Sequence, residues 1–120
     1  MKIEIGADII DNNRFDGDIL LNESFLKKYF SDEEIVYCFS QYDPKQHFAA
    51  RFAGKEAVIK ALSQFGIDIR ISDIEISLKN NAPSIKILNE QANIKNLKIK
   101  ISISHCEDKS IAFAIIYELG

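Results

Sequence analysis

Glu56, flanked by Lys55 and Lys60 in the run HFAARFAGKEAVIKAL (47–62), is where side chains of this 120-residue chain could first do chemistry. At about 100° per residue, Phe48, Phe52, Ile59 and Leu62 share one side of a helix, and Ala49, Ala53, Ala57 and Ala61 fill much of the rest. A helix apolar nearly all round is a buried one. Arg51, Lys55, Glu56 and Lys60 are threaded through it, and buried charges are costly unless paired or bound to an ion. A carboxylate between ammonium groups suits a cation together with a polyanion: the carboxylate holds the cation, and the ammonium groups face phosphate oxygens. Mg²⁺ is bound in this manner, by one or two carboxylates, waters and substrate phosphates. Asp8, alone in the apolar run IGADII (5–10), supplies a second carboxylate if the first strand ends beside the helix. Each residue also has a plainer reading. Glu56 and Lys60 are four apart, the spacing of a surface pair worth a few tenths of a kcal/mol, and a lone Asp in an apolar run is commonly a turn or cap residue.

His105 is the other reactive group in a suggestive place. It ends the alternating run LKIKISIS (97–104) and is followed by Cys106. Successive strand residues face opposite sides, so a Cys106–His105 nucleophile–base pair needs a turn between them. A histidine at a strand end is more often a structural hydrogen-bonder, and His47, in the first turn of the helix, is read the same way. The glycines of a hydrolase elbow are missing around ISISH. There is no Walker A sequence and no dinucleotide fingerprint, so phosphate is left to side chains and helix ends.

The elements that must position these groups follow from periodicity and punctuation. KIEIG (2–6) alternates as a half-buried strand with Ile3 and Ile5 on one face, and Gly6 is a place for it to bend. Phe25, Leu26, Tyr29 and Phe30 have helical spacing, with Lys27 and Lys28 opposite. Ser31 and Glu34 form a capping-box pattern for a second short helix to about Phe39. Asp43 at the cap and Pro44 at the first helical position start the central helix, which runs to about Gln64 with Gly66 beyond. From Ile71 the pattern turns to β. A strand to Leu78, a turn at Asn80–Pro83 and a return along SIKIL make one hairpin. LKIKISIS, with Leu97, Ile99, Ile101 and Ile103 inward, the turn HCEDKS and the two-faced apolar strand IAFAIIY (111–117) make another. The economical arrangement is an α+β fold, a long central helix packed on an antiparallel sheet.

Composition narrows the class. The chain is 47% hydrophobic and 28% charged, as soluble globular proteins are, and long enough to bury a core. It reads as a single domain over 1–120. A net charge of −3 argues against nucleic acid or an anionic membrane as partner. Cys38 and Cys106 show neither metal-ligand spacing nor a secretory framework. MKIEIGADII lacks the apolar core of a signal peptide, and no run approaches the ~20 apolar residues of a membrane span. A cytoplasmic location is expected.

Three blocks stand in order: IGADII at 5–10, RFAGKEAVIKA at 51–61 and ISISH at 101–105. Together they resemble the holo-(acyl-carrier-protein) synthase family, the small 4'-phosphopantetheinyl transferases, whose pattern is G-x-D, F-x-x-K-E-A-x-x-K-A and S-x-S-H. The resemblance spans nearly the whole chain. It implies the phosphopantetheinyl transferase fold and transfer of the phosphopantetheine arm of coenzyme A to a serine of apo-acyl carrier protein, in fatty acid biosynthesis. It implies Asp8 and Glu56 as Mg²⁺ ligands and Lys60 at the phosphate under attack. Arg51, Lys55 and His105 would hold the coenzyme A phosphates, and Arg14, with Lys28 near it, would contact the carrier protein. It also implies a homotrimer with active sites between subunits. The alternative is a non-catalytic module that binds coenzyme A or carrier protein. In its favour, the turn after the helix reads SQFG, and the hairpin carries Asn81-Ala82-Pro83 where the family has G-K-P.

Overall fold

The computed structural model describes residues 1–120. Strand β1 (Ile3–Asp11) leads through a 3₁₀ turn (Asn12–Phe15) into helices α1 (Asp18–Leu21), α2 (Glu23–Tyr29), α3 (Asp32–Phe39) and α4 (Pro44–Ser63). Strands β2 (Ile74–Lys79), β3 (Ala82–Ile87), β4 (Leu97–Cys106) and β5 (Lys109–Glu118) follow. They form two antiparallel sheets, β1-β5-β4 and β2-β3, and α4 packs across both. The expected long helix on an antiparallel sheet is present, with the strands divided between two sheets.

The helical block obeys its punctuation. Ser31 Oγ accepts from the Glu34 N–H while Glu34 accepts from the Ser31 N–H, a complete capping box. Helix α4 starts at Pro44, although the Asp43 side chain makes no capping hydrogen bond, and Gln64 is its C-cap. Asn80 and Asn81 both take positive φ in the β2–β3 turn, the conformation a two-residue I′ hairpin needs and Asn tolerates.

The first strand departs from expectation in length and in facing. It continues through Gly6 to Asp11 without a break. Its buried residues are Gly6 and Ile10, and Ile3 and Ile5 are exposed. The reason is proximity. A Cβ on Gly6 would lie 2.1 Å from the Ala57 carbonyl oxygen and 3.0 Å from the Ala61 nitrogen. Only the glycine face of β1 lets the helix come this close. Gly54 makes the matching approach from α4, where a Cβ would meet Ile76 Cδ1 at 2.8 Å. Leu97, Ile99, Ile101 and Ile103 of β4 pack against the core as expected. The far side of α4 is covered by aromatic rings, with Phe48 5.0 Å from Phe30 and 5.2 Å from Phe39. The outer face of the three-stranded sheet is left apolar. Ile3, Ile5, Ile9, Ile111 and Phe113 are each about half exposed there.

Gly6→Ala should therefore separate strand from helix and cost about 1–3 kcal/mol by overpacking. Thermal unfolding of the variant checks this, and an unchanged melting temperature would show that the contact is not tight.

Candidate active site

The crossing of β1 over α4 gathers the first group of charges. Asp8 pairs in register with Ala112, which pairs with Ile103 on the other side. Asp8 therefore shares the inward face of the sheet with the core residue Ala112. Lys60 reaches down from α4: its Nζ lies 3.1 Å from Asp8 Oδ1 and 2.9 Å from the Ala7 carbonyl oxygen. Asp8 is 19% exposed and Lys60 52%, so this is a contact at the mouth of the site. Glu56, one helical turn before Lys60, is half-buried and has no side-chain partner. Asp8 on β1 and Glu56 on α4 are the hard carboxylates on the two elements that cross here, and no group of three or more His, Cys, Asp or Glu is gathered anywhere. Such a donor set fits a cation that completes its shell with water and substrate phosphate, as Mg²⁺ does.

Arg51 lies two turns toward the N-terminus of α4. It is almost fully buried, with its guanidinium carbon 4.4 Å above the Tyr37 ring. Its Nε finds no hydrogen-bond partner. A buried guanidinium with an unmet donor is rare and calls for an acceptor. It borders a cavity of about 260 Å³ lined also by Glu33, Tyr37, Glu75 and Ser77. His47 makes an edge-to-face contact with the same Tyr37 ring, with ring centroids 5.8 Å apart. Burial lowers its pKa, and the nearby charges of Arg51 and His105 add to this, while Asp43 opposes it. His47 therefore sits among the coenzyme-site candidates, although its position early in the helix suggested nothing of the kind. The signal available was its i,i+4 spacing from Arg51. His105 is exposed near the end of β4, paired across to Ser110. β4 continues through His105 to Cys106, so the expected turn over HCEDKS shrinks to Glu107 and Asp108.

Lys55 does not join this group. It is 0% exposed, and its Nζ lies 2.6 Å from Glu34 Oε1 and 2.7 Å from the Tyr29 carbonyl oxygen. The ammonium also sits 5.0 Å from the centre of the Phe30 ring. Burial lowers its pKa, and the Glu34 carboxylate pulls the other way. The expectation that Lys55 faces phosphate is corrected by this geometry. It falls on the phenylalanine side of α4, where α3 delivers a carboxylate to meet it. Glu34 is the residue the sequence concealed, because its capping-box role seemed to account for it. Its second oxygen accepts from the Ile76 N–H at 3.0 Å.

Arg14 and Lys28 are both exposed. Arg14 places its guanidinium carbon 5.4 Å from the Phe52 ring centre. Tyr29, next to Lys28, packs edge-on against the same ring at 5.9 Å. Phe52 thus links Arg14 to the helix that carries Lys28.

Comparison with known proteins gives the family. The family model for the 4'-phosphopantetheinyl transferase superfamily matches residues 4–115. Holo-[acyl-carrier-protein] synthase of Aquifex aeolicus is 36% identical over 117 residues, covering 93% of this chain and 96% of the relative. The Helicobacter pylori holo-[acyl-carrier-protein] synthase solved in complex with coenzyme A superposes with a TM-score of 0.73 at 30% identity. That match covers 94% of this chain and 99% of the other. The ACPS-CoA complex of Chronobacterium ammoniagenes shares the fold, with a TM-score of 0.82 at 23% identity and full coverage of both chains.

The two lysines of α4 should respond differently to substitution. Lys55→Met leaves Glu34 buried without its counter-charge and should cost about 3–5 kcal/mol. Lys60→Met removes an exposed pair and should change stability by about 1 kcal/mol or less. Urea unfolding of both variants makes the comparison, and equal losses would show that the Lys55 pair is not the buried one.

Proposed function

This chain belongs to the 4'-phosphopantetheinyl transferase superfamily, and we propose that it works as a holo-[acyl-carrier-protein] synthase through Asp8, Glu56 and Lys60. It transfers the 4'-phosphopantetheine arm of coenzyme A to a serine hydroxyl of apo-acyl carrier protein and releases the adenosine bisphosphate half. The observation that carries this reading is the meeting of Lys60 with Asp8 at 3.1 Å, one helical turn from Glu56, within a chain of this family. A non-catalytic binding module is not favoured, since the charges that the chemistry needs are brought together.

Phosphoryl transfer asks the protein mainly for positioning and charge neutralisation. Asp8 and Glu56 are the residues that would hold Mg²⁺, which would supply neutralisation of phosphate charge. Lys60, anchored by its stem on α4 and half-exposed beside Asp8, places an ammonium against the phosphate under attack. Arg51 offers its unmet Nε to a coenzyme phosphate, and His105 supplies a second donor from the end of β4. The serine proton has two carboxylates in the same site to pass to, Asp8 and Glu56. Arg14 and Lys28 present positive charge to an acidic carrier, which assists encounter. Residues 1–120 act as one transferase domain.

The apolar outer face of the β1-β5-β4 sheet supports assembly as a homotrimer with active sites between subunits and His105 reaching a neighbour's site. An exposed apolar patch of this kind is ordinarily covered. The reaction belongs to fatty acid biosynthesis in the cytoplasm. Two free cysteines suit a reducing compartment.

Mass spectrometry of apo-carrier protein incubated with coenzyme A and Mg²⁺ should show the gain of one phosphopantetheine arm. Asp8→Ala and Glu56→Ala should abolish the gain with the fold retained, and chelation should do the same to the wild type. Wild-type turnover in either variant would sink the assignment. Arg14→Ala and Lys28→Glu should raise KM for the carrier in the same assay, and an unchanged KM in both would move the docking surface elsewhere.

Phe113→Glu, on the outer sheet face, should convert the assembly to a smaller species in sedimentation velocity. A wild type that already sediments as a monomer would remove the trimer reading.

A further inference from the structure

Asn12 and Ser110 are buried polar residues that the chemistry above does not use. They are 1% and 0% exposed, and they lie 98 positions apart. The Ser110 hydroxyl donates to Asn12 Oδ1 at 2.7 Å. The Asn12 backbone N–H donates to the Asp108 carbonyl at 2.7 Å, and its side-chain Nδ2 donates to the Glu107 carbonyl at 3.4 Å. One residue at the end of β1 thus holds both carbonyls of the β4–β5 turn and a side chain of the strand that follows. Buried polar groups are kept only when satisfied in this way.

The turn needs an external hold. Glu107 takes a φ of +42°, a region where glycine is the favoured residue and a side chain is strained by about 1–3 kcal/mol. The β2–β3 hairpin shows the contrast, since its Asn80–Asn81 pair adopts its turn by its own local chemistry. Glu107, which takes the positive φ of the β4–β5 turn, has no such chemistry of its own. His105 is in the last rung but one before this turn. Its partner across the ladder is Ser110, whose other neighbour is Ile10 on β1. The hairpin that carries His105 is paired with the strand that carries Asp8 along the whole of β5, and at the turn end of that ladder the buried side-chain link is the one between Asn12 and Ser110. The Lys109–Asp11 pair alongside, at 3.1 Å, is exposed on both sides and so counts for little.

We propose that Asn12 and Ser110 form a buried latch that fixes the β4–β5 turn against the end of β1 and so positions His105 for coenzyme A. Both are positioning residues that act through His105. The proposal rests on the reading of His105 as a coenzyme ligand.

Isothermal titration of coenzyme A into the wild type and four variants tests it without relying on turnover. Asn12→Ala should weaken binding about tenfold, the scale of one hydrogen bond to a charged group. His105→Ala should weaken it similarly. The Asn12→Ala/His105→Ala double variant should bind no more weakly than His105→Ala alone, because the latch acts only through that side chain. Asn12→Leu/Ser110→Ala replaces both partners by apolar groups, which can leave stability nearly unchanged. It should melt close to the wild type and still bind coenzyme A about tenfold more weakly. Wild-type affinity in this stable double variant overturns the latch and leaves the enzyme reading intact. Full additivity of Asn12→Ala with His105→Ala also overturns it. A wild type that binds no coenzyme A, or a His105→Ala variant that binds it as tightly as the wild type, overturns the underlying reading instead.

Discussion

Placing the ammonium of Lys55 beside the carboxylate of Glu34 takes two charges out of water, at a cost of several kcal/mol per ion before compensation. The structure compensates with geometry. One oxygen of Glu34 accepts from the Ser31 N–H at 2.9 Å and from Lys55 at 2.6 Å; the other accepts from the Ile76 N–H at 3.0 Å. A single carboxylate thereby ties α3, α4 and β2 together. The rotation of α4 about its own axis follows from this, because Lys55 is held from one side. Glu56, the next residue, must then point away from the pair, and Arg51, one turn earlier, must lie along Tyr37. The functional face of the helix is defined by what its neighbouring face has buried.

The close approach at Gly6 fixes the other coordinate. With the Ala57 carbonyl oxygen against the strand, Asp8 lies within reach of the Lys60 tip two residues further along β1. A side chain at position 6 would lift the helix and lengthen that reach. The small residues on α4 and the missing side chain on β1 thus set the distance between Asp8 and Lys60.

Much of this was legible in the sequence where the information is local. The start of α4 at Asp43-Pro44, the capping box at Ser31 and Glu34, the Asn80–Asn81 turn and the strict alternation of β4 each depend on residues within a few positions. The charges of an apolar helix pointed to partners for them, and the structure supplies one in the Asp8–Lys60 contact. What was hidden depends on partners far along the chain. Lys55 and Glu34 are 21 positions apart, and nothing near Lys55 reveals that its counter-charge comes from another helix. Alternation in β1 marked two faces without saying which one the helix meets, because isoleucines occupy one and glycine with Asp8 and Ile10 the other. The division into two sheets was also unreadable, since the pairing of β1 with β5 joins the beginning of the chain to its end.

That pairing has a consequence for how the molecule is made. β5, the last strand in chain order, is the middle of the three-stranded sheet, and Ile3 pairs with Tyr117. Until β5 has been synthesised, β1 and β4 have no shared partner, and the inner surface of α4 has only half a floor. The helical block can form as it emerges, but the sheet closes through contacts of the longest sequence separation, which are slow to establish. For most of the time on the ribosome, the isoleucine-rich β1 is an unpaired strand edge of the kind that invites aggregation. The demand for protection during synthesis is therefore set by strand order.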